Sequence, residues 1–234
     1  MRKTVTITVN GATIQTPEGT SVLDASLEAG ICIPNLCHMP GVSPIGACRV
    51  CIVEVVEGGR RRMTASCTLE AREGLVVEAH SDNVVRARRH IVELILAEAP
   101  NSRAVQDLAA RVGVTHSRYP MRNKHCVLCG RCVRICAEVW QSQSLGFVGR
   151  GGDRHVALPF DKRPDLCKRC NSCVDVCPMK ITPCPGPMAK PGICGLCESQ
   201  TMMAENTPDT CVWCELGRGF QCARWQLRGL LATI

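Results

Sequence analysis

Apolar and polar residues alternate from Thr4 to Val9 and again from Ala12 to Thr16, on either side of Asn10-Gly11. A period of two reads as a half-buried strand, and Asn-Gly tolerates the positive φ that a two-residue hairpin turn demands. The chain is therefore expected to open with a hairpin. Ser21-Val-Leu-Asp24 follows, resembling a capping box ahead of a helix that reaches Ala29, with Gly30 suited to its C-terminal cap. Ile52 to Val56, Met63 to Ala65 and Leu75 to Ala79 read as further short strands, separated by Gly58-Gly59 and Gly74. Hairpin, helix, loop and returning strands describe a small α+β roll over residues 1–80.

From Ser81 or Asp82 the period changes to that of a helix running to about Ala99, with Val84, Ala87, Ile91, Leu94 and Ile95 on one face. Pro100 breaks it. A second helix, about Ser102 to Val112, carries Val105, Leu108, Ala109 and Val112 and stops before Gly113. Residues 81–113 thus read as a helical linker lobe with ordinary core stripes. Beyond it, 114–183 holds two four-cysteine runs with thirty residues between them, and a Gly- and Pro-dense stretch at 183–192 marks a boundary before a tail, 184–234. Within that tail Trp225, Leu227, Leu230 and Leu231 recur at roughly helical intervals and suit packing on its own lobe.

Aromatic residues make up only 3% of the 234 positions, whereas 19 are cysteine, so bound metal is expected to replace part of the core. The chain opens as an alternating strand and not an apolar export signal, and no apolar run is long enough to cross a bilayer. The expected setting is a reducing cytoplasm, where thiolate ligation outweighs disulfides. The formal charge of +7 points to a nucleic-acid surface only while every cysteine counts as neutral. An oxidised two-iron or four-iron centre with four thiolates carries about −2, so three of them lower the sum to roughly +1. With so few aromatics, no base-stacking platform is expected and no nucleic-acid partner.

Sixteen of the nineteen cysteines fall into spaced groups. Cys37, Cys48, Cys51 and Cys67 have spacings of ten, two and fifteen, with Gly41, Pro44 and Gly46 to bend a loop around a two-iron cluster; a four-cysteine zinc site lacks so long a wrapping loop. Cys126, Cys129, Cys132 and Cys136, and then Cys167, Cys170, Cys173 and Cys177, each follow C-x2-C-x2-C-x3-C, the second run ending in Pro178. In that pattern three cysteines grip one cubane and the fourth crosses to the other. Cys126, Cys129, Cys132 and Cys177 are therefore assigned to one [4Fe-4S] cluster, and Cys167, Cys170, Cys173 and Cys136 to a second. In the tail, Cys194, Cys197, Cys211 and Cys214 form two knuckles that suit a structural zinc, a third [4Fe-4S] cluster, or no metal; Cys184 or Cys222 could replace one ligand. Cys32, with one or both of Cys184 and Cys222, reads as a buried thiol.

Ile33-Pro-Asn-Leu-Cys37-His-Met-Pro-Gly41, Gly46-Ala-Cys48-Arg-Val-Cys51-Ile-Val-Glu54 and Ala65-Ser-Cys67 resemble the N-terminal domain of the large iron-sulfur subunit of respiratory complex I, a module shared with NAD-reducing and electron-bifurcating hydrogenases. The run from Cys126 to Cys136, with Gly146-Phe-Val-Gly149-Arg-Gly, resembles the ferredoxin domain of the same family. The resemblance implies a plant-type [2Fe-2S] ferredoxin (β-grasp) domain, the helical linker, a bacterial-type 2[4Fe-4S] ferredoxin domain at 114–183, and the cysteine-rich tail. It also implies a partner subunit that binds FMN and NAD(H), and a further redox subunit or soluble ferredoxin. One departure is plain. Such relatives carry a histidine and three cysteines between the two domains for an extra cluster, but residues 80–125 contain no cysteine, so His90, His116 and His125 cannot complete that ligand set.

No dinucleotide-binding glycine turn, phosphate loop or Ser/His/Asp arrangement is apparent, so no substrate-converting site is expected on this chain. The expected function is electron relay within a soluble NAD(P)-linked oxidoreductase of the bifurcating transhydrogenase, hydrogenase or formate dehydrogenase type. The alternative is a zinc-rich scaffold or partner-binding module without redox activity.

Overall fold

The computed structural model describes residues 3–122, 124–158, 160, 167–170 and 172–180. The tail cysteines, Cys184, Cys194, Cys197, Cys211, Cys214 and Cys222, and the helical pattern after Arg224 lie outside the described residues. The chain divides into two compact units, one of Met1–His38 and Pro44–Cys129, the other of Met39–Ser43 and Gly130–Ile234.

In the first unit, β1 (Thr4–Val9) and β2 (Ala12–Pro17) pair antiparallel in the register Val9↔Ala12. Asn10 (φ 51°) and Gly11 (φ 80°) form the turn between them, both in the left-handed region that a two-residue hairpin demands. Helix α1 (Val22–Glu28) begins where expected: the Ser21 hydroxyl accepts the Asp24 amide at 3.0 Å, satisfying a donor that the first helical turn leaves over. Strands β3 (Ile52–Glu57), β4 (Arg60–Ala65) and β5 (Val76–Glu78) complete a five-stranded mixed sheet in the order β2-β1-β5-β3-β4. Only the β1–β5 pairing is parallel. Strand β4 starts earlier than the apolar pattern indicates, because Arg60, Arg61 and Arg62 continue the ladder on an exposed edge where charge is tolerated.

Val5, Ile7 and Val9 of β1, Val53 and Val55 of β3 and Val77 of β5 join Val22, Leu23 and Ala25 of α1 in one buried cluster. Alternation sends Ile52 and Glu54 of β3 to the opposite face, and yet both are buried. Helix α2 (Asp82–Glu98) covers that side. It is capped by Ser81 and runs over the expected range, but its buried stripe is Val84, Arg88, Val92 and Leu96, while Leu94 is exposed. The apolar face expected from Val84, Ala87, Ile91, Leu94 and Ile95 is thus rotated. An arginine stands inside the stripe because the backbone carbonyls of Val50, Ile52 and Ala79, in and beside β3 and β5, face it there. Helix α3 (Arg103–Val112) buries Val105, Leu108 and Ala109 and ends at Gly113, φ 74°. Both helices lie in the same compact unit as the sheet.

In the second unit, α4 (Arg131–Arg134) passes into a wider π-type turn at Ile135–Val139, with Trp140 N–H donating to the Ile135 carbonyl at 3.1 Å. Strands β6 (Gly146–Val148) and β7 (His155–Ala157) pair antiparallel, and α5 (Cys167–Cys170) and α6 (Ser172–Asp175) follow. Met39–Ser43 belongs here: the Ser43 amide donates to Glu138 at 2.6 Å and its carbonyl accepts from Arg134 at 2.8 Å. Among the described residues no helix is long and apolar enough to cross a membrane.

Candidate iron-sulfur sites

The first unit brings Cys37, Cys48, Cys51 and Cys67 together as two pairs. The Cys37 amide donates to the Cys48 sulfur at 3.4 Å, and the two thiols share a hydrogen bond. Cys51, immediately before β3, shares one with Cys67, which lies in the short helical turn after β4. Cys37, Cys51 and Cys67 are buried and Cys48 is half-buried.

The local fold explains the pairing. β3 and β4 hydrogen-bond Ile52↔Ala65, so the residue before Ile52 and the turn after Ala65 stand at one end of the same ladder. Ser66 fixes that end: its hydroxyl and its amide both donate to the Cys51 carbonyl, at 2.8 and 3.0 Å. Arg49 adopts φ 59°, a left-handed conformation uncommon for a side-chain-bearing residue, and the Val50 amide that follows it donates to the Cys48 sulfur. Inward amides of this kind stabilise thiolate charge and tune a cluster held there.

The thiols perturb one another. Cys51 is pulled below the ordinary thiol range chiefly because Cys67 donates to it. Cys67 and Cys48 are pushed up by the same sharing of protons and then by burial. Four thiols in two pairs, surrounded by apolar core and inward N–H groups, fit a centre of two metal ions with two thiolates on each.

Asp24 steadies the loop. Its carboxylate accepts from Ser21 at 2.5 Å and meets His38, next to Cys37, at 2.8 Å. On the other face of β3, Glu54 is buried and accepts from Ser81 (2.7 Å), Asn83 (3.2 Å) and Arg61 (3.2 Å), which hold its carboxyl below the usual carboxylate range, Ser81 first. Arg88 donates to the carbonyls of Val50 (2.9 Å), Ile52 (2.7 Å) and Ala79 (3.0 Å). The cysteine spacing does not reveal Glu54 or Arg88. Their only signal is a charged residue at a strand or helix position whose neighbours in the period are apolar. Cys32, expected to be buried, is exposed, because Ile33 beside it points into the core and consecutive residues of an extended segment face opposite ways.

The remaining cysteines divide between the units. Cys126 and Cys129 fall in the first, where the Leu128 amide (φ 53°) donates to the Cys126 sulfur at 3.4 Å. In the second, Cys132 and Cys136 pack in one cluster with Leu145, Val156 and Leu158, and Cys167 and Cys173 lie against it. Cys170 donates to the Ser172 hydroxyl at 3.3 Å, and Cys177 is buried. His90, His116 and His125 are exposed.

Residues 2–82 match the 2Fe-2S iron-sulfur cluster binding domain family. A solved NAD+-reducing [NiFe]-hydrogenase structure contains a chain 31% identical to this one, with a TM-score of 0.57, the match covering 66% of this chain and 74% of that one. The chain belongs to the iron-sulfur subunit family of NAD(P)-linked hydrogenases and NADH-quinone oxidoreductases. Among curated members of that family, it is 34% identical to subunit HndD of the NADP-reducing hydrogenase of Solidesulfovibrio fructosivorans, over 74% of this chain and 35% of that protein. It is 32% identical to the alpha subunit of the NADPH-Fe(3+) oxidoreductase of Geobacter sulfurreducens (strain DL-1 / KN400), over 74% of this chain and 23% of that protein. It is 26% identical to the mitochondrial 78 kDa subunit of the NADH-ubiquinone oxidoreductase of Candida albicans, over 75% of this chain and 28% of that protein. This family member therefore spans about a quarter to a third of the curated relatives it matches.

Proposed function

We propose that this chain is an electron-relay subunit of an NAD(P)-linked oxidoreductase complex, carrying single electrons between a flavin on a partner subunit and another redox centre or a ferredoxin. The observation that carries the reading is the arrangement of Cys37 with Cys48 and Cys51 with Cys67 in one buried end of the sheet. In it, Cys37 and Cys48 ligate one iron of a [2Fe-2S] cluster and Cys51 and Cys67 the other. A bound cluster supplies a site that accepts and releases one electron with little change in shape. The chain's own part is to hold four sulfurs, aim the Cys37, Val50 and Cys67 amides at them, and keep water from three. Cys48, the half-buried ligand, is the edge at which a partner's redox group comes within reach.

By the spacing of their ligands, the paired cysteine runs hold two [4Fe-4S] clusters, one on Cys126, Cys129, Cys132 and Cys177, the other on Cys167, Cys170, Cys173 and Cys136. Cys132 and Cys136 share one cluster with Cys167 and Cys173 packed against it, the closeness of the two runs that interleaved ligand sets require. Partners in an NAD(P)-linked hydrogenase, formate dehydrogenase or bifurcating transhydrogenase fit this role, with FMN and NAD(P) on a neighbouring subunit; zinc or a third four-iron cluster belongs to the tail cysteines.

The test is native purification under anaerobic conditions, with iron, sulfide, zinc and flavin analysis. The expected content is about ten iron and ten sulfide per chain from one two-iron and two four-iron centres, with any tail metal in addition. Cys51→Ala should abolish the two-iron EPR signal and NADH-linked electron flow in the complex while sparing the signals of the other clusters. Zinc in place of iron, or undiminished flow through Cys51→Ala, would overturn the proposal.

A further inference from the structure

Arg88 is 3% exposed, in the middle of the buried stripe of α2, where an arginine is expected only with strong partners. Its partners are neutral: the carbonyls of Val50 and Ile52, on either side of Cys51, and that of Ala79 at the end of β5. Among the described residues no carboxylate pairs with it. A buried cation without a counter-ion is costly, and carbonyl dipoles satisfy its N–H groups without neutralising its charge. Two of those three carbonyls belong to the residues immediately before and after Cys51, so the guanidinium is held against the backbone of that residue.

We propose that Arg88 is the fixed counter-charge of the two-iron centre, a positioning residue that clamps the backbone on both sides of Cys51 and raises the centre's reduction potential. The inference rests on the [2Fe-2S] reading of Cys37, Cys48, Cys51 and Cys67. Reduction adds one negative charge to a centre already negative, so a cation held close by the fold favours the reduced state. Because the guanidinium is shielded from water and tied to the backbone of a ligand, the effect is expected to persist at high salt. A unit charge within about 10 Å at an effective dielectric of about 20 changes a one-electron equilibrium by roughly tenfold.

The experiment is a redox titration of the purified, cluster-loaded chain followed by EPR, comparing wild type with Arg88→Gln and Arg88→Lys. Glutamine keeps hydrogen-bond donors and loses the charge; lysine keeps the charge and loses the three-carbonyl fork. At a fixed poise, Arg88→Gln should lower the ratio of reduced to oxidised two-iron centre by about tenfold, about 59 mV for a one-electron couple. Arg88→Lys should stay within about twofold of wild type at pH 7. Should the glutamine variant fail to hold a cluster, the lysine variant decides alone. Raising the pH through the range where a buried lysine loses its proton should lower its reduced fraction while wild type stays flat, and a lysine profile as flat as wild type would overturn the proposal. An unchanged ratio in a loaded Arg88→Gln would overturn it, as would a lysine shift as large as the glutamine one. A two-iron signal absent from wild type itself would instead refute the cluster assignment.

Discussion

Glu54 offers the most direct test of how the sheet and α2 are held together. Its carboxylate is 3% exposed and accepts from the Ser81 hydroxyl at 2.7 Å and the Asn83 amide at 3.2 Å, linking β3 to the first turn of the helix. Hydrogen bonds to a charged group contribute about 1.5–3 kcal/mol net. The Arg61 ion pair, whose arginine side chain is 56% exposed, adds at most about 1 kcal/mol. Glu54→Gln keeps the shape but gives up the charge and turns one acceptor into a donor. A loss of about 2 kcal/mol at pH 7 is expected, read as a lower urea midpoint with an unchanged slope in anaerobic unfolding followed by circular dichroism. The sign of the pH dependence follows from the direction of the shift. Because the folded-state pKa lies below the ordinary value of 4.5, the unfolded chain binds the proton more readily. The stabilisation is then fully present above about pH 5.5 and is lost as the pH falls through the folded-state value. The gap between wild type and Glu54→Gln should therefore close on acidification. A gap under about 0.5 kcal/mol at pH 7, or one that stays constant down to the acid limit, would refute the reasoning.

Two further outcomes are expected besides those attached to Cys51 and Arg88. Asp24→Ala removes the acceptor of the Ser21 hydroxyl, the carboxylate that faces His38 and the acidic residue of the first turn of α1; it should cost about 1 kcal/mol and lower the melting temperature, and an unchanged melt would argue that the His38 contact contributes nothing. Gly149 sits at φ 77°, and a Cβ there would lie 2.6 Å from the Asp153 carbonyl oxygen, so Gly149→Ala should destabilise by about 2–3 kcal/mol. Gly152 in the same loop has nothing within 4 Å of its Cβ position. Its alanine variant should melt within a degree or two of wild type, and equal effects at the two glycines would discount the clash.

What is legible in the chain is what neighbours in sequence decide. Asn10-Gly11 permits its turn, Ser21 and Ser81 cap the helices that follow them, and Gly113 ends α3 at a positive φ. Each of these depends on dihedral preferences or hydrogen bonds spanning a few residues, so the residue types suffice. The cysteine spacings are informative for the same reason, since a loop of a given length either can or cannot wrap a small inorganic core.

The rest required distant segments to meet. The parallel pairing of β1 with β5 joins Thr8 to Val76, and no turn residue announces it. Arg88 and Glu54 look like surface charges until the other face of β3 is seen to be covered, for their partners are backbone carbonyls as far as 38 positions away and hydroxyl and amide groups 27 and 29 positions away. Periodicity places a polar residue on the solvent side because it knows only the cost of burying charge. The sequence alone therefore settled the hairpin, the capped helices of the first unit and which sulfurs are candidates for iron, but not the short elements between Arg131 and Asp175. Tertiary structure alone decided how those sulfurs pair and which charges stand behind them, because only the packed backbone brings together the dipoles that make a buried ion tolerable.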